Sequence, residues 1–150
     1  MFHFIKKMLK KEDPFFYGSS NFKDSFFSKL LYCPHPFTNW SLNPLTKYDS
    51  EYVHTLEGFR KTSKSNSIID ELKSFDNQCD IYCIGGSTTY CDSIKNYTDT
   101  WPYLLRELYN KKSKNLLVNG GVGGWSTLQS LIRFFSWGSI LKPKLTIFYQ

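Results

Sequence analysis

At 150 residues the chain has room for one domain, or one domain plus an appendage. Its aromatic share of 18% excludes wholesale disorder. Of its net charge of +6, four positive charges crowd into Lys6, Lys7, Lys10 and Lys11; the nearly balanced remainder offers no basic face for nucleic acid.

The opening stretch, MFHFIKKMLKKED, sets Phe2, Phe4, Ile5, Met8 and Leu9 beside those lysines. Its apolar run is too short for a signal-peptide core, and no small-residue cleavage site follows. No stretch reaches the ~20 apolar residues of a membrane span, so a cytoplasmic location is expected. The start reads as a frayed, solvated terminus or as a short basic helix resting on an anionic membrane surface.

Residues 1–60 lack periodicity. Pro14, Pro34, Pro36 and Pro44 interrupt them, and Phe15, Phe16, Phe26, Phe27, Phe37 and Trp40 recur between. This predicts an irregular arm that packs its rings on a neighbouring domain. The polar stretch Lys61–Asn66 marks the expected boundary, leaving 61–150 as the folded domain.

From Ser67 the pattern sharpens. Ile68, Ile69, Leu72 and Phe75 share a helical face, with Ser67 and Asp70 as a capping box. Residues 79–84 (CDIYCI) read as a strand stopped by Gly85 and Gly86. A helix follows, with Trp101, Leu104, Leu105, Leu108 and Tyr109 as its apolar face. Residues 116–119 form a second strand, interrupted by the glycine run 120–124. A third helix is expected to follow, with Ser126 and Gln129 as a capping box and Leu128, Leu131, Ile132 and Phe135 on its apolar face. Residues 145–149 (LTIFY) are a third strand. Strand–helix alternation predicts an α/β fold with a parallel sheet and right-handed crossovers. Cys33, Cys79, Cys83 and Cys91 form no CxxC pair and read as buried thiols in a reducing compartment, with a Cys79–Cys91 or Cys33 bridge left open.

Parallel sheets carry their sites at the carboxyl ends of the strands. That selects two loops, IGGSTTY and NGGVGGWST. In the first, two glycines leave the Ser87 hydroxyl unshielded. A serine hydroxyl needs an adjacent base to act as a nucleophile, and donors aimed at the oxyanion it creates. The second loop offers backbone N–H groups for that purpose. The glycine run also makes a partial dinucleotide fingerprint, but Ser126 holds the third glycine position and no acid ends the next strand. A P-loop is excluded by the lack of Gly-Lys-Ser/Thr.

The ordered set IGGSTTY, TDTWPYLLREL, LLVNGGVGGWSTLQS and KPKLTIFYQ, with HPFTNWSLNP and EGFR upstream, resembles SGNH/GDSL hydrolases over roughly residues 35–150. The resemblance implies a three-layer α/β/α, flavodoxin-like parallel sheet. It implies Ser87 as catalytic nucleophile, in GGS rather than the more familiar GDS, and an oxyanion hole formed by the N–H groups of Ser87 and Gly124, with Gly123 as the other register. It implies an acyl-ester hydrolase or acyltransferase acting on small-molecule or glycan esters, with no metal or organic cofactor. The family's asparagine, aspartate and histidine blocks would follow Gln150, so the chain reads as an incomplete, inactive fragment. The local histidines, His3, His35 and His54, are each expected at the surface. Asp80 lies on the amino-terminal side of the strand, and Asp92 and Asp99 lie in the loop after Ser87. The competing reading is a catalytically dead α/β module that binds a carbohydrate or a partner.

Overall fold

A computed structural model describes residues 31–44, 46–48, 51–111 and 114–150. The lysine-rich start and His3 lie outside the described residues. The centre is strand β5, with β1 to β4 upstream: β1 (Tyr32–His35), β2 (Asn39–Leu42), β3 (Lys47–Tyr48), β4 (Glu51–Tyr52) and β5 (Ile81–Gly85). All five β5 residues are buried, which is why its sequence is apolar without alternation. Strands β6 (Leu117–Asn119) and β7 (Leu145–Tyr149) flank it in the order β6-β5-β7, both parallel to it.

Helices cover both faces. Helices α1 (Ile68–Lys73) and α4 (Thr127–Leu141) lie on one side, where Ile68, Leu72, Phe134, Trp137 and Leu141 pack against Tyr82, Ile84 and Val118. Helix α3 (Trp101–Asn110) lies on the other, where Trp101 and Leu105 pack against Ile81, Cys83 and Leu117. The protein is therefore an α/β fold with a three-stranded parallel sheet flanked by helices. Between β5 and α3 stands a single four-residue turn of helix, α2 (Ser87–Tyr90). All four cysteines are free, and burial pushes the Cys79 and Cys83 thiols up to about 12.

The two long helices are rolled away from the orientation expected of them. On α3, Pro102 and Arg106 are buried while Leu104, Leu108 and Tyr109 are exposed. On α4, Ser130 and Arg133 are buried while Leu128 and Phe135 are 67% and 75% exposed. The arginines decide the roll. Arg106 forms a buried ion pair with Glu71 of α1 and donates to the Thr62 carbonyl at 3.3 Å. Arg133 donates to the Gly58 carbonyl at 2.6 Å and to Ser41 Oγ at 3.1 Å, with its guanidinium 4.3 Å from the Phe59 ring centroid. A buried charged group that lost such partners would cost more than a leucine left in water. Arg133→Met keeps the aliphatic packing but strands the Gly58 carbonyl, a loss of ~1–3 kcal/mol. A thermal melt should show Tm lower by ~5 °C at this chain length; an unchanged Tm would mean that the guanidinium adds nothing.

Upstream, β1 and β2 form an antiparallel hairpin, β3 and β4 a second short pair. The segment between them and α1 is packed tightly: Val53, His54, Thr55, Phe59, Arg60, Lys61 and Thr62 are buried. Lys61 and Thr62 therefore belong to the interior and not to a solvated boundary. His54, expected at the surface, is fully buried; Asn43 and Tyr90 give its ring polar partners there. Glu57 holds the start of α1, accepting from Ser67 Oγ at 2.7 Å and from the Ile68 N–H at 3.0 Å. Ser67 itself accepts from the Asp70 N–H, the expected cap.

Candidate active site

Ser87 is the first residue of α2, directly beyond the carboxyl end of the central strand. It is exposed, and among the described residues its hydroxyl has no hydrogen-bond partner. Its carbonyl, in contrast, is fixed by the N–H groups of Cys91 and Asp92, at 2.7 and 3.3 Å.

The glycine loop after β6 lies against this turn. The Val122 N–H donates to the Gly85 carbonyl at 3.1 Å, and the Gly120 N–H to the Cys83 carbonyl at 2.7 Å. Gly121 touches α2 so closely that a Cβ there would fall 2.4 Å from the Tyr90 nitrogen. Asn119, fully buried at the end of β6, joins the two loops. Its side-chain amide donates to the Thr89 carbonyl and accepts from the Gly121 N–H, each at 3.0 Å. The two loops selected from the sequence are thus one unit at one edge of the sheet. Gly124 is exposed with φ +74°, and the N–H groups of Gly123 and Gly124 carry no hydrogen bond among the described residues.

The third strand closes the arrangement from the far side. Thr89 Oγ1 donates to the Tyr149 carbonyl at 2.5 Å, and the Gln150 amide donates to the Trp125 carbonyl, also at 2.5 Å.

Tryptophans brace both loops. Trp101 Nε1 donates to the Thr88 carbonyl at 3.0 Å, beside Ser87. Trp40, on β2, donates to the Gly123 carbonyl at 3.2 Å, and Trp125 donates back to the Trp40 carbonyl at 3.0 Å. Gln129 of α4 accepts from the Ser126 N–H at 2.8 Å and donates to the Thr38 carbonyl at 2.9 Å. The β1–β2 hairpin is therefore part of the site. Its contribution is not visible in spacing, because Trp40 and Gly123 are 83 residues apart.

The remaining candidates separate. Asp80 sits at the opposite end of the sheet, accepting from the Leu116 N–H at 2.9 Å and pairing with Lys144 at 2.8 Å. Asp92 reaches the glycine loop: a Cβ on Gly123 would lie 2.5 Å from its carboxylate, which also accepts from Tyr32 Oη at 3.2 Å. Asp99 is exposed in the 3₁₀ turn 97–99. Neither described histidine is hydrogen-bonded to Ser87. His35 bonds Thr38 Oγ1 through Nδ1, and burial, then Arg133, lowers its pKa. His54 bonds the Asn43 carbonyl and Tyr90 Oη, and burial lowers its pKa to about 3, too weak a base to take a serine proton near neutrality.

Among the described residues, no group of histidine, cysteine, aspartate or glutamate side chains could hold a metal ion, and no helix is long and apolar enough to cross a membrane. No protein-family model matches the chain, and no curated protein matches it either.

Proposed function

We propose that this chain carries the nucleophile and oxyanion hole of a serine hydrolase acting on acyl esters, of the SGNH/GDSL type. One observation carries the reading: a serine hydroxyl and a loop of glycine amides, both without hydrogen-bond partners among the described residues, share the carboxyl edge of neighbouring parallel strands. The strand order adds support. In chain order β5, β6 and β7 are arranged 2-1-3, the start of the flavodoxin-like order, whose ligand crevice lies between the first and third strands. Ser87 stands there.

In this mechanism Ser87 Oγ forms a bond to the ester carbonyl carbon, and its proton passes to a histidine beyond the two described ones. The carbonyl oxygen becomes an oxyanion received by the N–H groups of Ser87 and Gly124. Collapse breaks the bond to the alcohol, which leaves with the proton held by the histidine. Water, or an acceptor alcohol in an acyltransferase, then releases the acyl group from Ser87. The substrate class proposed is a small-molecule or glycan ester.

The nucleotide alternative fares worse on packing. Gly120 lies against the Tyr82 ring, Gly121 against the α2 backbone and Gly123 against the Asp92 carboxylate. Gly120, Gly121 and Gly123 are thus packed by the protein itself, leaving no glycine cradle of the kind a dinucleotide pyrophosphate needs.

A fluorophosphonate probe on the full-length protein tests the reading. Wild type should be labelled, Ser87→Ala should not, and ester turnover should fall by as much as ~10⁶-fold. Equal labelling of the two proteins would reject Ser87.

A further inference from the structure

The proposed chemistry leaves three buried polar side chains unused, and they form one directed chain of hydrogen bonds. The Asn43 carbonyl can only accept, so His54 Nδ1, 2.8 Å from it, carries the ring proton. His54 Nε2 is then the acceptor, and Tyr90 Oη donates to it at 2.8 Å. The Tyr90 oxygen in turn accepts from Arg60 Nη1 at 3.2 Å, with the guanidinium 4.8 Å from the Tyr90 ring centroid. Arg60 Nη2 anchors the far end on the Ile94 and Lys95 carbonyls, at 2.6 and 3.0 Å.

Tyr90 ends α2, three residues after Ser87. A single helical turn does not hold itself, because nucleation fixes several dihedrals for one hydrogen bond. Its geometry must come from what grips it, and Tyr90 is its largest buried side chain. Arg60 is also buried without an ion pair among the described residues. An apolar residue of similar volume would fill space there at lower cost. A guanidinium kept in that position points to a requirement for direction.

We propose that the Arg60–Tyr90–His54 chain is the positioning device of the nucleophile. It fixes the height and roll of α2 above β5 and thereby the aim of the Ser87 hydroxyl. The three are positioning residues, since none touches the reacting atoms. The consequence for rate rests on the Ser87 reading; the consequence for the turn does not.

The test uses Tyr90→Phe in the full-length protein, with Arg60→Lys as the second variant should the first not fold. Backbone amide exchange and steady-state turnover of p-nitrophenyl acetate are measured together. Exchange across 86–92 should rise ~10-fold while the β5 and α4 amides stay at wild-type rates. kcat should fall ~10-fold with KM within about twofold of wild type. Wild-type exchange at 86–92, or uniform acceleration of all amides, overturns the proposal, and so does a change confined to KM. If wild type shows no turnover dependent on Ser87, the hydrolase reading fails, and the exchange arm alone decides whether the chain sets the turn.

Discussion

On the proposed hydrolase reading, Gly121→Ala should lower kcat/KM for an ester substrate by ~100-fold, the loss typical of a misplacement of ~1 Å in a catalytic constellation. The added Cβ would lie 2.4 Å from the Tyr90 nitrogen, 2.7 Å from the Thr89 carbonyl carbon and 2.8 Å from Thr89 Cβ. Two of these are backbone atoms, so no side chain can rotate away. The glycine loop and α2 must separate, which disturbs the placement of Ser87 at the start of that turn. Overpacking of this kind costs ~1–3 kcal/mol, and Tm should fall by ~5 °C. Gly138→Ala is the control, since a Cβ there meets only the Phe134 ring at 3.7 Å. A Gly121→Ala protein with wild-type kcat/KM would show that the contact between the loops does not set the site.

Acid should destabilise the fold well above the carboxylate range. His54 has an ordinary pKa of 6.5, lowered to about 3 chiefly by burial, with Arg60 and Arg133 adding to the effect and the Asn43 carbonyl opposing it. Between those values the unfolded chain binds a proton that the folded chain refuses. Stability is therefore complete above pH 6.5 and is lost as pH falls below it, by ~1.4 kcal/mol per unit. From pH 7 to pH 5 the loss should reach ~2 kcal/mol, seen as a fall in Tm of ~4–8 °C. His35, shifted the same way by burial, adds to this fall. A Tm as high at pH 5 as at pH 7 would show that His54 is not held as a buried neutral ring.

Short-range pattern made the sheet readable. Residues 79–84, 116–119 and 145–149 are largely apolar runs bounded by glycine or proline, and each overlaps or coincides with a strand. The two candidate site loops were readable for the same reason, because a parallel sheet gathers its strand ends at one edge. Helix orientation was not. Periodicity places leucine inward and arginine outward, whereas Arg106 and Arg133 have carbonyls or a carboxylate waiting in the interior. His54 was misplaced likewise: its polar surroundings in sequence concealed the Asn43 carbonyl and the Tyr90 hydroxyl that satisfy it. Asn119, the strut between the loops, sits in plain view at the head of NGGVGGWST, but only its bonds to Thr89 and Gly121 give it a role.

The braces on the glycine loop, and on helix α4 that follows it, reach far along the polypeptide. Trp40 to Gly123 spans 83 residues, Thr38 to Gln129 spans 91, and Ser41 to Arg133 spans 92. Closing loops of that length costs more conformational entropy than forming local helices, and such closures come late on the way to the native state. The glycine loop is thus among the last parts to acquire its shape, while the β5–β6 pairing beneath it can form earlier. A newly made chain would possess its scaffold before the loop that rests on it is braced.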